Sequence, residues 1–101
     1  MCIEYIRFKI DETIQKTFIR VIGDACQIMA AYPDCLGYEV SQCEEDPLLF
    51  IWRIKWTSAE AHLEGFRKDN KIFTPFYQVM EPYINSIQEM YHYNVLYKNV
   101  H

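Results

Sequence analysis

Residues 48–56 read LLFIWRIKW, and this stretch predicts a β-strand with apolar side chains on both faces. Alternate positions place Trp52 and Trp56 on one face, within a row of large apolar residues. Leu49 and Ile51 lie on the opposite face. An antiparallel sheet with one face in water alternates cleanly between apolar and polar residues, so we expect this strand to be covered on both sides.

The segments before this strand predict a strand, a helix and a second strand. Residues 2–10 alternate between apolar and polar side chains, which is typical of a strand. Apolar residues then recur at three- and four-residue steps from Asp11, a suitable N-cap, to Pro33, which ends the predicted amphipathic helix. Residues 35–43 form the next strand, and a polar turn joins it to residues 48–56 as an antiparallel hairpin.

The segments after it predict a second helical region and a last strand. Thr57 and Glu60 fit a capping box, from which a helix runs to about residue 70. Because residues 73–87 contain two prolines, we expect short helical turns there rather than one helix. Residues 88–98 return to a strand, again with apolar side chains on both faces.

The resulting order, β-α-β-β-α-β, is that of the ferredoxin-like plait, an α+β fold with an antiparallel sheet. No linker or repeat interrupts it, so we expect residues 1–101 to form a single domain. The helices of a plait cover only one face of its sheet. We therefore expect a homodimer in which a second copy of the sheet covers the other face, as in a dimeric α+β barrel.

Composition and charge exclude several function classes. The chain has 101 residues, a formal net charge of −4 and no basic stripe, which argues against nucleic-acid binding. No segment approaches the length of apolar chain that spans a bilayer, and Glu4, Arg7 and Lys9 interrupt any signal-like start. We therefore expect a cytoplasmic protein without a membrane partner. The cysteines form no C-x-x-C pair, which is typical of small buried thiols in a reducing compartment.

The histidines are the main candidates for chemistry. His62, His92 and His101 are far apart in sequence and show no metal-ligand spacing, so we predict no metal site and no cofactor. His62 lies beside an apolar stripe of its helix. It is either a structural histidine at the helix–sheet boundary or a proton donor, proton acceptor or anchor in an aromatic pocket.

Aromatic residues make up 16% of the chain, which favours an aromatic-lined cavity, a large interface, or both. Trp52 and Trp56 are either core residues or walls of such a pocket, and Tyr77 follows a proline where a pocket lid could lie. His92 and Asn94 share one face of the last strand. They form either an internal polar network or part of a ligand site.

Two motifs resemble the antibiotic biosynthesis monooxygenase family. They are the PDCLGYEV segment at residues 33–40 and the WTSAEAH segment at residues 56–62, the latter followed by Phe66 and then by the spaced aromatics Phe73 and Phe76. The resemblance extends over about residues 3–97. It implies a homodimer of dimeric α+β barrel type, with one pocket per subunit between the sheet and its helices.

The resemblance also implies an activity. Known relatives oxidise phenolic or quinol-type aromatics with O₂, without flavin or metal, and a pocket base forms the reactive substrate anion. We accordingly expect a cofactor-independent monooxygenase acting on a small electron-rich aromatic. In this interpretation His62 is the base or anchor, and the substrate-binding candidates are Trp52, Trp56, Phe66, Tyr77, His92 and Asn94.

The chain departs from the family pattern at two places. Gly65 stands where many relatives carry a second histidine, and the residues that the haem-degrading branch uses are absent from the matching positions Ile6, Gly65 or Phe66, and Pro75. Haem degradation is therefore disfavoured. Two alternatives remain at this point: a non-catalytic dimeric module that binds a small molecule, and an isomerase or decarboxylase on the same scaffold.

Overall fold

The computed structural model describes residues 1–99, in which one antiparallel sheet carries two α-helices on one face. The strands are β1 (Cys2–Lys9), β2 (Cys35–Gln42), β3 (Leu49–Trp56) and β4 (Ile87–Asn94), and the α-helices are α1 (Gln15–Ala30) and α2 (Asn70–Met80). The spatial order of the strands is β2–β3–β1–β4. This arrangement confirms the predicted ferredoxin-like plait.

The hydrophobic core lies between the helices and one face of the sheet. On β3 the predicted alternation is present, because Trp52 and Trp56 are buried in this core while the intervening residues are only half-buried. Helix α1 contributes Phe18 and Met29, both fully buried. All four cysteines are free thiols. Within residues 1–99, none of the helices is long and apolar enough to cross a membrane.

The other face of the sheet carries exposed aromatic side chains. Tyr91 and Tyr93 on β4 are 59% and 49% exposed, and the ring of Tyr93 packs edge-to-face against Tyr5 on β1. Ile51 on β3 is half-buried on the same face. No helix in the described part of the chain covers this face.

The segment after β3 differs from the single helix predicted up to residue 70. A π-helical turn (Ala61–Gly65) is followed by a 3₁₀ turn (Phe66–Lys68), and Asp69 then caps α2. The predicted capping box of Thr57 and Glu60 is wrong, because the backbone N–H of Thr57 donates to the Asp34 carbonyl rather than to Glu60. The Ser58 hydroxyl accepts a hydrogen bond from the backbone N–H of Ala61, whereas the Thr57 hydroxyl donates to the Asp34 carboxylate.

The prolines and the last strand also differ from expectation. Helix α2 runs through Pro75, although short turns were predicted there. Its apolar side packs on the core, and this burial outweighs the backbone hydrogen bond that a proline cannot donate. A 3₁₀ segment (Glu81–Ser86) follows, and β4 ends at Asn94 rather than at residue 98 because its pairing with β1 ends there.

Candidate active site

A cavity of about 200 Å³ lies between the helix-side face of the sheet and the segment from the π-helical turn to β4. Its wall is largely aromatic and aliphatic, and it includes the sequence-predicted residues Trp52, Trp56, His62, Phe66 and Tyr77. Tyr77 is 42% exposed. Trp52, Trp56 and Phe66, by contrast, are fully buried in the wall. The structure thus brings most of the predicted site residues into one cavity.

Glu4 on β1 contributes a carboxylate to this largely apolar wall, although no motif of the sequence points to it. It is 1% exposed and accepts a hydrogen bond of 3.1 Å from the indole N–H of Trp56. Burial raises the pKa of Glu4 from 4.5 to about 7, opposed by the Trp56 hydrogen bond and by the charge of Arg67. The available sequence signal was a lone acidic residue on the same strand face as Ile6 and Phe8.

His62 projects from the π-helical turn and stacks on Trp56, with the ring centroids 4.6 Å apart and nearly parallel. Its Nε2 accepts a hydrogen bond of 3.3 Å from the Arg67 Nε–H, and its Nδ1 lies 2.7 Å from Nε2 of His92. Burial lowers the pKa of His62 to about 3, and the charges of Arg67 and His92 add to this effect. The imidazole is therefore neutral at physiological pH.

The hydrogen bond from Arg67 assigns the tautomer of His62. A neutral imidazole has one N–H and one lone pair, and an Nε2 that accepts from arginine must use its lone pair. The ring proton is thus on Nδ1, from which it is donated to Nε2 of His92. Nδ1 also lies 3.7 Å from the Glu4 carboxylate. Glu4, His62, His92 and Arg67 form a connected group, which we call the acid–base cluster.

Strand pairing and the helical turns assemble this cluster from distant parts of the chain. Glu4 and His92 face each other in the antiparallel register of β1 and β4. The 3₁₀ turn that follows the π-helical turn supplies Arg67, whose guanidinium also contacts the sulfur of Met90. π-Helical turns are rare in proteins, and those that occur are frequently found at functional sites.

His62 and His92, which are far apart in sequence, thus meet in the fold, and with Glu4 they could hold a metal ion. The ligand atoms of Glu4, His62 and His92 lie within 4.8 Å of one another, and two imidazoles with one carboxylate suit a divalent transition ion. However, Nδ1 of His62 carries the proton in this tautomer, and the Arg67 charge opposes a cation. His101, the third histidine, lies outside the described residues.

Asn94 is not part of the cavity. It lies exposed at the end of β4 and lines a separate surface groove together with Lys55 and Tyr93. The predicted pair of His92 and Asn94 is therefore divided: His92 joins the acid–base cluster, and Asn94 does not.

Gly65, where many family members carry a histidine, allows a close contact in this chain. A Cβ atom added at Gly65 would collide with the hydroxyl of Tyr32 on the segment after α1. The Tyr32 ring packs edge-to-face on Phe66, which is part of the cavity wall. In this chain the Tyr32 hydroxyl thus occupies the space that a side chain at position 65 would need.

Comparison with known proteins supports the resemblance described above. The chain matches the antibiotic biosynthesis monooxygenase family over residues 1–71. The chain belongs to this family. Of the acid–base cluster, Glu4, His62 and Arg67 lie within the matched range, whereas His92 lies beyond it.

Solved structures of the antibiotic biosynthesis monooxygenase type share the fold at low sequence identity. A protein from Bordetella bronchiseptica that is named as an antibiotic biosynthesis monooxygenase is 14% identical to this chain, with a TM-score of 0.76. The alignment covers 95% of this chain and 97% of that protein. A second such protein, from Chloroflexus aurantiacus, is 16% identical to this chain, with a TM-score of 0.74. The alignment covers 98% of this chain and 96% of that protein.

A further structure is that of a single-residue variant of SnoaB, a cofactor-independent oxygenase from Streptomyces nogalater. It is 12% identical to this chain with a TM-score of 0.75, and the alignment covers 96% of this chain and 94% of SnoaB. At such identities the likeness concerns the fold alone. No curated protein sequence matches the chain significantly.

Proposed function

We propose that this family member is a cofactor-independent monooxygenase that oxidises a small electron-rich aromatic, of phenol or quinol type, with O₂. The observation that carries the proposal is the aromatic-walled cavity, which is lined by Glu4, His62 and Arg67 of the acid–base cluster, with Glu4 and His62 buried. Apolar walls with a few converging polar groups are typical of small-molecule sites. SnoaB, with the same fold, is a cofactor-independent oxygenase.

The chemistry needs a base and a dry cavity. A base in the cluster removes the phenolic proton, and the resulting anion is electron-rich enough to reduce O₂ itself. For a phenol with a free ring position, one oxygen atom enters the ring to give a quinone. The second oxygen atom leaves as water, together with the two hydrogen atoms lost by the substrate. The apolar wall keeps water away from the anion during these steps.

In this proposal His62 acts as the anchor of the cluster. Both of its ring nitrogens are engaged, one by Arg67 and the other by His92. Its stacking on Trp56 holds the ring in the cavity wall. The neutral imidazole thus fixes the guanidinium of Arg67 next to the substrate position without adding a charge of its own.

We also propose that the functional unit is a homodimer. The open sheet face carries Ile51, Tyr91 and Tyr93, and a second copy of this face would bury them. Interfaces of this obligate type bury on the order of 2,000 Å² or more in total. Each subunit would keep its own cavity, because the cavity lies on the helix side of the sheet.

Oxygen uptake tests the proposal directly. A panel of hydroquinones and of one- and two-ring phenols is screened with an oxygen electrode, and products are identified as quinones. With an active substrate, His62→Gln should fold normally and lose about 10²- to 10⁴-fold in rate, the usual effect of disrupting acid–base machinery. The matched control is Glu64→Gln, an exposed position two residues further along the same turn.

Two results would contradict this scheme. If phenols bind in the cavity and neither O₂ consumption nor product follows, the protein is a binding module rather than an oxygenase. If His62→Gln keeps the full rate and an unchanged pH–rate profile, His62 has only a structural role.

A further inference from the structure

We propose that Glu4 is the catalytic base, and that the cavity selects one- or two-ring phenols that it binds as phenolates beside Arg67. This inference rests on the proposed function and specifies its base and its substrate class. It assigns the proton transfer to a residue that the family motifs of this chain do not contain.

Among the ionisable side chains of the cavity wall, Glu4 is the group able to accept a proton there. The acceptor nitrogen of His62 is occupied by the N–H of Arg67, and the guanidinium itself has no acceptor atom. Tyr77 is partly in solvent. The Glu4 carboxylate accepts one hydrogen bond from Trp56, and a carboxylate has lone pairs for further partners.

The charge balance of the cavity favours this transfer. In the step, the O–H bond of the phenol breaks and a new O–H bond forms on the Glu4 carboxylate. One negative charge therefore moves from Glu4 to the substrate oxygen, and no additional charge is buried. Burial stabilises the neutral acid, which is why the pKa of Glu4 lies at about 7 rather than at 4.5.

Arg67 is placed to pair with the phenolate. Its Nε–H is used by His62 and one terminal nitrogen contacts the Met90 sulfur, which leaves other N–H donors of the guanidinium available. The titratable and charged groups around Glu4 are His62, His92, Arg67, Cys2 and Cys35. Burial lowers the pKa of both histidines and raises the pKa of both thiols, so near neutral pH Arg67 is the cation of this group.

The cavity volume limits the size of the ligand. An apolar protein cavity of roughly 150 Å³ holds benzene. The cavity here, at about 200 Å³, therefore suits a substituted single ring or two fused rings. The rings of Phe73, Phe76 and Tyr77, which line the same cavity and keep some exposed surface, are suited to stack on such rings.

The test uses 4-cyanophenol, whose ultraviolet absorption differs between phenol and phenolate. The pH is set above the pKa of Glu4 and below the pKa of free 4-cyanophenol. The native protein should bind the probe with the phenolate spectrum. Glu4→Gln, whose amide oxygen can still accept from Trp56, has the same charge as the protonated acid, so it should also bind the phenolate but release about one proton to solvent per bound probe. Glu4→Asp should bind the phenolate without proton release at lower affinity, and Glu64→Gln should match the native protein.

Calorimetry on the native protein gives a second measurement that does not depend on any variant folding. Titrations in two buffers of different ionisation enthalpy report the protons exchanged with solvent. Transfer to Glu4 predicts no net proton release on binding. A release of one proton per bound phenolate would assign the proton to solvent and overturn the inference.

The remaining outcomes separate this inference from the proposed function. A neutral bound probe in the native protein, no binding at all, or binding of the phenolate by folded Glu4→Gln without release of a proton to solvent would each overturn the assignment of Glu4. Oxygen uptake with active phenols would leave the proposed function standing in those cases. Phenolate binding that releases no proton in the native protein and one proton in Glu4→Gln, without oxygen uptake on any phenol, would support the base assignment and contradict the oxygenase function.

Discussion

Replacement of Glu4 by glutamine should change how the stability of the protein depends on pH. In the folded protein burial raises the pKa of Glu4 from 4.5 to about 7. Below pH 4.5 the carboxyl is protonated in both the folded and the unfolded chain. Between pH 4.5 and about 7 the unfolded chain releases the proton while the folded chain keeps it, so the free energy of unfolding falls as pH rises.

The magnitude follows from the size of the shift. Each pKa unit corresponds to about 1.4 kcal/mol, so a shift from 4.5 to about 7 corresponds to about 3 kcal/mol. Glu4→Gln lacks this titration and keeps a side chain of similar shape. The difference in unfolding free energy between Glu4→Gln and the native protein should therefore grow by about 3 kcal/mol in favour of the variant between about pH 4 and about pH 8.

Urea unfolding, followed by tryptophan fluorescence at a series of pH values, measures this difference. His62 acts in the opposite direction. The pKa of His62 is lowered to about 3 in the folded protein. Its contribution to the free energy of unfolding is therefore complete above the ordinary histidine pKa of 6.5 and is lost as pH falls. Both proteins retain His62, so its contribution largely cancels in the difference. Glu64→Gln, an exposed carboxylate, serves as the control.

Parallel stability curves would refute the reasoning. If Glu4→Gln and the native protein keep a constant difference from acid to alkaline pH, the carboxyl of Glu4 titrates normally in the folded state. It would then not be a buried group whose pKa lies close to neutral pH.

Three further predictions concern packing, assembly and metal binding. Gly65→Ala should destabilise the protein by about 1–3 kcal/mol in thermal unfolding, since the new methyl group collides with Tyr32. Gly23→Ala is the control, and it should not destabilise the protein because the space around Gly23 is open. Ile51→Glu should give a folded monomer by sedimentation velocity while the native protein sediments as a dimer; a native monomer would contradict the proposed interface. Arg67→Leu should bind Co²⁺ at least about tenfold more tightly than the native protein, as measured by absorption titration. The variant loses the positive charge that repels a cation, and it also loses the hydrogen bond that keeps the proton on Nδ1 of His62. Equal affinities of the two proteins for Co²⁺ would count against that tautomer.

The sequence alone determined the order of the elements and the class of the fold. The period of two in β3 and the three- and four-residue steps of α1 reflect backbone geometry, which neighbouring residues express locally. The two-faced apolar character of residues 48–56 is visible without coordinates for the same reason. The motifs around Cys35 and His62 also indicated the family correctly.

Local patterns failed where packing decides the conformation. Pro75 argued for a break, yet α2 continues through it because the helix buries an apolar side against the core. The π-helical turn (Ala61–Gly65) likewise has no periodic signature of its own. It was predicted as ordinary helix.

Only the tertiary structure brought the acid–base cluster together. Glu4, His62 and His92 come from β1, a helical turn and β4, and no spacing along the chain relates them. The register of β1 against β4 places Glu4 opposite His92, and a shift of one residue would turn each side chain to the other face of the sheet. The raised pKa of Glu4 likewise depends on burial, which is a property of the packed core and not of the strand that carries the residue.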